Sequence, residues 1–112
     1  MKQEIAKIWI EALESDKYRQ CSGLLKKGDS FCCLGVLCDL YLKELNETWE
    51  NNSIYISPLL GSLPPSVMKW AAIAETDPKI YSQNRTLIDC NDGDRLSFQE
   101  IAQIIKKHNH SF

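Results

Sequence analysis

The sequence predicts a small, mainly helical α+β domain, with about four helices around a short antiparallel β-ribbon, spanning residues 1–112 as one unit. Three observations predict it. Phe31–Leu45 (FCCLGVLCDLYLKEL) is apolar almost all round, with Asp39 the sole charge in its first twelve residues. A surface helix would show a polar face, so this one is read as a buried scaffold. Apolar residues also recur at helical spacing near both ends of the chain. Finally, Lys26-Lys27-Gly28 separates two short runs just ahead of the buried helix, the signature of a hairpin.

Composition narrows the function classes. A chain of 112 residues, 44% hydrophobic and 25% charged, fits one globular domain. Its net charge of −2 lacks the basic balance of a duplex nucleic-acid binder. No stretch reaches the roughly 20 apolar residues of a membrane span. The first residues, MKQEIAKIWIEAL, are charged and amphipathic rather than a signal peptide, so a cytoplasmic location is expected. The five cysteines are read as small buried hydrophobes in a reducing compartment, in preference to disulfides.

Helix one is predicted over Gln3–Glu14, with Ile5, Ile8, Trp9, Ala12 and Leu13 on its apolar face and Lys7–Glu11 as an i,i+4 pair. Tyr18–Leu25 and Asp29–Phe31 are expected to form a two-stranded ribbon. Gly23 marks a bulge or close approach within it. Ser30 is placed as the cap of the central helix. Gly35, inside that helix, is assigned a steric role: it lets another element approach. Asn46–Gly61 reads as a loop with a short strand at Ile54–Ile56. Pro64-Pro65 then opens a helix over Ser66–Ala74, buried through Val67, Trp70, Ala71 and Ala74. Thr86–Asp89 is expected as a strand joining the ribbon, followed by a turn at Asn91–Asp94. The last helix runs from Ser97 to about Lys107, and the tail HNHSF is expected to fray.

Candidate chemistry is sparse. Asp89–Glu100 imitates a calcium loop, but Gly93 falls at position five where that loop needs glycine at six. Ser97 and Glu100 are better explained as a capping box. The cysteines lack the paired spacing of a zinc site, and His108 and His110 lie in the tail. No phosphate-loop or dinucleotide fingerprint occurs. No catalytic residue, metal or cofactor is therefore assigned.

Binding is the remaining class. Tyr18, Arg19, Lys26 and Lys27 gather cations and an aromatic ring at the ribbon, suited to phosphates and flat rings. Asp39 needs partners in so apolar a helix. Structural hydrogen bonds are the favoured reading, and a ligand contact is the alternative. Trp49 and Tyr55, in the long loop, either cover the core or line a binding surface. Asn91 and Asp92 either shape a turn or address a ribose or base edge. The candidate ligand-binding set is Tyr18, Arg19, Lys26, Lys27, Asp39, Trp49, Asn91 and Asp92.

Four segments carry a resemblance: Trp9–Leu13 with Tyr18 and Gln20; Phe31–Leu40, with its CCLGVLCDL core; Leu63–Val67 with Trp70; and Asn91-Asp92 with Ser97-Phe98 and Ile101-Ala102. Together they resemble a family of small phage and prophage accessory proteins. Similar proteins carry a more glycine-rich turn where this chain has Cys21-Ser22-Gly23. The resemblance implies a phage accessory gene and no particular reaction. The resulting expectation is a protein that counters host anti-phage defence by sequestering a nucleotide-derived immune signal, such as a cyclic oligonucleotide or an ADP-ribose derivative. The alternatives are a protein–protein inhibitor of a host protein and, less favoured, a hydrolase of such a signal. A homo-oligomer is expected.

Overall fold

The computed structural model describes residues 1–112. The chain runs α1 (Gln3–Glu14), β1 (Arg19–Gln20), β2 (Lys26–Lys27), β3 (Ser30–Phe31), α2 (Cys33–Glu44), α3 (Pro65–Ala71), β4 (Lys79–Ile80), β5 (Arg85–Thr86) and α4 (Phe98–His108). Short 3-10 turns lie at Tyr81–Gln83 and Asn109–Ser111, and one π-helical turn at Asp89–Gly93. The α+β class is as the sequence predicts.

Helix α2 is the scaffold. Every residue from Cys33 to Asp39 is buried, and so is Leu42. The indole of Trp9, itself fully buried, donates to the Cys33 carbonyl at 3.0 Å and so ties α1 to the start of α2. Helix α1 lies against both α2 and α4. The five cysteines are free, and four of them are buried hydrophobes as expected.

Gly35 has the predicted steric role. A Cβ built on it would overlap the Leu25 carbonyl oxygen and stand 2.8 Å from the carbonyl carbon. That same oxygen accepts from the Cys32 amide at 3.1 Å, so the first turn of α2 rests directly on the ribbon backbone.

Several expectations are corrected. The ribbon has three strands in the order β1-β3-β2, with β3 antiparallel to β2 and parallel to β1. Lys26 and Lys27 are strand residues facing Phe31 and Ser30, and the reversal falls at Gly28, in the left-handed region with φ 55°. Gly23 is no bulge: it turns at φ 87° with open space around its α carbon. Ser30 lies in β3, and the cap of α2 is Cys32, whose sulfur accepts from the Gly35 amide at 3.4 Å.

In α1, the buried stripe is Ile5, Ala6, Trp9, Ile10 and Leu13. Ile8 lies outside it and is 37% exposed, because the helix is covered by α2 and α4 along a line through Trp9 and Leu13. Glu14 pairs with Lys106 across to α4 at 3.0 Å, whereas Lys7 and Glu11 form no ion pair.

No strand forms at Ile54–Ile56. Helix α3 stops at Ala71 because Ala72 turns left-handed at φ 56° and the Ile73 amide reaches back to the Met68 carbonyl at 2.9 Å. Ala74 consequently lies outside the helix and is exposed. Arg85–Thr86 pairs with β4 in a separate hairpin rather than joining the ribbon. A π-turn replaces the expected Asn91–Asp94 turn. The tail is anchored: Phe112 is 8% exposed, and its carbonyl accepts from the Ala74 amide at 3.0 Å. The Ser97–Glu100 capping box is present as predicted.

Candidate functional site

Strand β1 separates two polar clusters, which between them contain Tyr18, Asp39, Trp49, Asn91 and Asp92. The first is centred on Asp39, on the face of α2 turned toward the ribbon. Its Oδ2 accepts from the Tyr18 hydroxyl at 2.5 Å and from Lys43 Nζ at 3.0 Å. Its Oδ1 accepts from the Trp49 indole at 3.0 Å. Lys43 sits one turn after Asp39, and helical spacing alone brings it there. Burial pushes the Asp39 carboxyl up, but the bonds from Tyr18, Trp49 and Lys43 outweigh it and hold it below the ordinary aspartate value. Burial and the Asp39 bond push the Tyr18 phenol up, and the Asp39 carboxylate does the same for the Lys43 ammonium.

Aromatic rings back this network. Tyr18 meets Phe31 edge-on at 5.1 Å, and Phe31 lies 6.1 Å from Trp49. Lys43 lies 5.3 Å from the centre of the Tyr18 ring, and Lys26 lies 5.6 Å from that of Phe31. Lys26 also donates to the Gly28 carbonyl.

A groove of ≈ 590 Å³ opens beside the network, between α1 and α2. Small-molecule sites commonly measure a few hundred to about a thousand cubic ångströms. Ile8, Ala12 and Leu40 form its apolar part, and Tyr18, Lys17 and Lys43 its aromatic and cationic part, with Glu11 on the α1 side. Ile8, Lys17 and Leu40 are absent from the candidate ligand-binding set read from the sequence, which placed Ile8 on the buried face of α1 instead. The signal for Ile8 was its place at the edge of the α1 stripe, one residue off the line through Trp9.

The second cluster is centred on Asn91, in the π-turn. Its Oδ1 accepts from Gln20 Nε2 at 2.9 Å and from the Cys33 amide at 3.2 Å. Its Nδ2 donates to the Cys21 carbonyl and to Asp92 Oδ1, each at 2.8 Å. An asparagine amide has two donors and two acceptor sites, so Asn91 is fully engaged within the protein. One side chain thereby joins β1, the N-terminus of α2 and the π-turn. Asp92 Oδ2 accepts from the Gly23 amide at 3.1 Å. An open cleft of ≈ 360 Å³ lies here, lined by Gln20, Cys21, Ser22, Asn91, Asp92 and Arg95.

Of the remaining candidates, Arg19 and Lys27 are exposed on the ribbon and line neither cleft. Trp49 covers the core beside Phe31, whereas Tyr55 points into solvent, 90% exposed. No three His, Cys, Asp or Glu side chains come together as a metal-binding group. No helix is long and apolar enough to cross a membrane.

The Asp39 and Asn91 clusters both draw on the CCLGVLCDL segment. That segment lies within the match to a family model, Domain of unknown function (DUF8296), which covers residues 1–109. The chain belongs to this family. The DUF8296 match spans both clusters, the groove, and also the Asn46–Pro58 loop that the resemblance in the sequence left out. No curated protein and no solved structure matches the chain.

Proposed function

We propose that this protein is a phage-encoded accessory protein of the host cytoplasm that counters anti-phage defence by binding and sequestering a nucleotide-derived immune signal. A cyclic oligonucleotide or an ADP-ribose derivative is the expected class. The observation that carries this reading is the composition of the groove between α1 and α2. Ile8, Ala12 and Leu40 offer an apolar surface to a flat base, while Lys17 on the groove wall and Lys43 beside the Tyr18 ring would meet phosphate. Sequestration is favoured over hydrolysis because Asp39 and Asn91 already spend their polar atoms on the protein. Neither is free to act as a base toward a bound ligand.

Thermal-shift measurement against a panel of cyclic oligonucleotides and ADP-ribose derivatives tests the reading. A stabilising ligand that is recovered unchanged after heat denaturation supports sequestration. A changed product means a hydrolase. No shift across the panel removes the nucleotide reading.

A second reading, a blocker of a host protein, draws on a different surface. Tyr55 and Leu59 are 90% and 73% exposed in the loop after α2, and both would offer apolar contact to such a partner. Co-purification with a host protein that is lost in a Tyr55→Ser, Leu59→Ser variant would favour it. We also propose self-association into a homo-oligomer, which sedimentation of the purified chain tests.

A further inference from the structure

We propose that Cys21 and Cys32 form a dithiol modification site, which a peroxide converts into an intramolecular disulfide between the end of β1 and the N-cap of α2. The register places them together. Strands β1 and β3 are parallel, with Gln20 opposite Phe31. The Cys21 amide donates to the Phe31 carbonyl at 2.8 Å, which carries the ladder one step further. The next residues on the two chains, Cys21 and Cys32, are therefore neighbours.

The spacing of paired strands suits a disulfide at the next step of this register. Adjacent strands lie about 4.8 Å apart, and disulfides span Cα separations of roughly 4.4–6.8 Å. Residues opposed in a sheet project to the same face. Cys21 is among the groups that push the Cys32 thiol up, in keeping with their being neighbours.

Access differs between them in a useful way. Cys21 is half-buried and lines the ≈ 360 Å³ cleft, so a small oxidant can reach it. Cys32 is 5% exposed and does not line the cleft. Cys33 and Cys38 are fully buried and Cys90 is 1% exposed, so Cys32 is the partner the register offers to Cys21.

The chemistry balances with hydrogen peroxide as the oxidant. The Cys21 thiolate attacks one peroxide oxygen; the O–O bond breaks and the departing hydroxide takes up the thiol proton as water. The Cys32 sulfur then attacks the Cys21 sulfenic sulfur; the S–O bond breaks and a second water leaves with the Cys32 proton. Two thiols lose two electrons in all, and one peroxide becomes two waters. Burial pushes both thiols up, so the thiolate is scarce at neutral pH and the reaction accelerates as pH rises.

The test treats the full chain with hydrogen peroxide, blocks remaining thiols under denaturing conditions and maps the peptides by mass. The expected result is loss of two of the five thiols and a Cys21–Cys32 link within one chain. Cys21→Ser and Cys32→Ser should each abolish the link, and Cys90→Ser should retain it. The Cys32→Ser protein should fold, because serine is a preferred N-cap. A link between other cysteines, a link between two chains, or five thiols still titrating after oxidation would each overturn the proposal.

Discussion

The α carbon of Gly35 faces the backbone carbonyl of Leu25 with no room for a methyl group between them. Helix α2 and the ribbon thus meet backbone to backbone, and Leu25 beneath the contact is fully buried. Neither backbone can yield as a flexible side-chain end would.

Gly35→Ala should therefore be severely destabilising. Alanine favours the helix by about 1 kcal/mol, but overpacking against main chain should outweigh that gain by on the order of 3 kcal/mol. Urea denaturation measures it; a variant as stable as the parent would mean that α2 can slide away from Leu25.

Asp39→Asn should cost about 2 kcal/mol, because it weakens bonds from Tyr18 and Trp49 to a charged acceptor. The Lys43 ion pair adds little to this figure, since the lysine side chain is 66% exposed. Thermal or urea unfolding of the variant checks the value.

The same carboxylate sets a pH dependence. Its pKa is depressed in the folded protein, so its contribution is fully present above the unfolded value of about 4 and is lost as pH falls through the folded one. Burial raises Asp77, which works in the opposite direction and favours the folded state on protonation. Stability measured at neutral pH and near pH 3 should fall less in Asp39→Asn than in the parent; an equal fall would exclude Asp39 as a source of acid sensitivity.

Asn91 and Asp92 should separate cleanly. Asn91→Ala leaves the buried Cys33 amide without its acceptor and the Cys21 carbonyl without its donor, at a cost of about 3 kcal/mol. Asp92→Ala removes the bonds from the exposed Gly23 amide and from Asn91 Nδ2, both at the open cleft where water can replace the carboxylate, for about 1 kcal/mol. Equal losses in unfolding experiments would contradict this division.

Ile8→Glu should leave stability within about 0.5 kcal/mol, as the side chain is 37% exposed. Placing a carboxylate beside Ala12 and Leu40 should weaken an anionic ligand of the groove about tenfold or more, whereas Arg19→Ala should leave affinity unchanged. Calorimetry on a ligand from the nucleotide panel reads both. A loss with Arg19→Ala and none with Ile8→Glu would move the site to the ribbon.

What the sequence made legible was what local physics controls. Helical spacing marked α1 and α4, the Ser-x-x-Glu box marked the start of α4, and the apolar run marked α2 as scaffold. Gly35 was readable because glycine inside a helix carries a cost that needs a compensating contact. Long-range pairing was not readable. Two-residue strands have almost no periodicity, so the parallel partner of Arg19–Gln20 left no trace. Ala72 turns left-handed against its own preference, which shortened α3 by three residues relative to the expected end at Ala74. Asp39 and Asn91 stood out as polar residues in apolar or turn settings. Apart from Lys43 and Asp92, their partners come from segments 10 to 71 positions away, beyond what spacing can show.

The strand order of the ribbon bears on how the molecule assembles. Its central strand, β3, is the last of the three to be synthesised, and it runs directly into α2. Until Ser30 and Phe31 arrive, β1 and β2 have no edge to pair with, and once they do, the Leu25 carbonyl is positioned for the Cys32 amide. Closing the ribbon and seating the scaffold helix should therefore be a single kinetic event, with a transition state that already contains the Gly35–Leu25 contact.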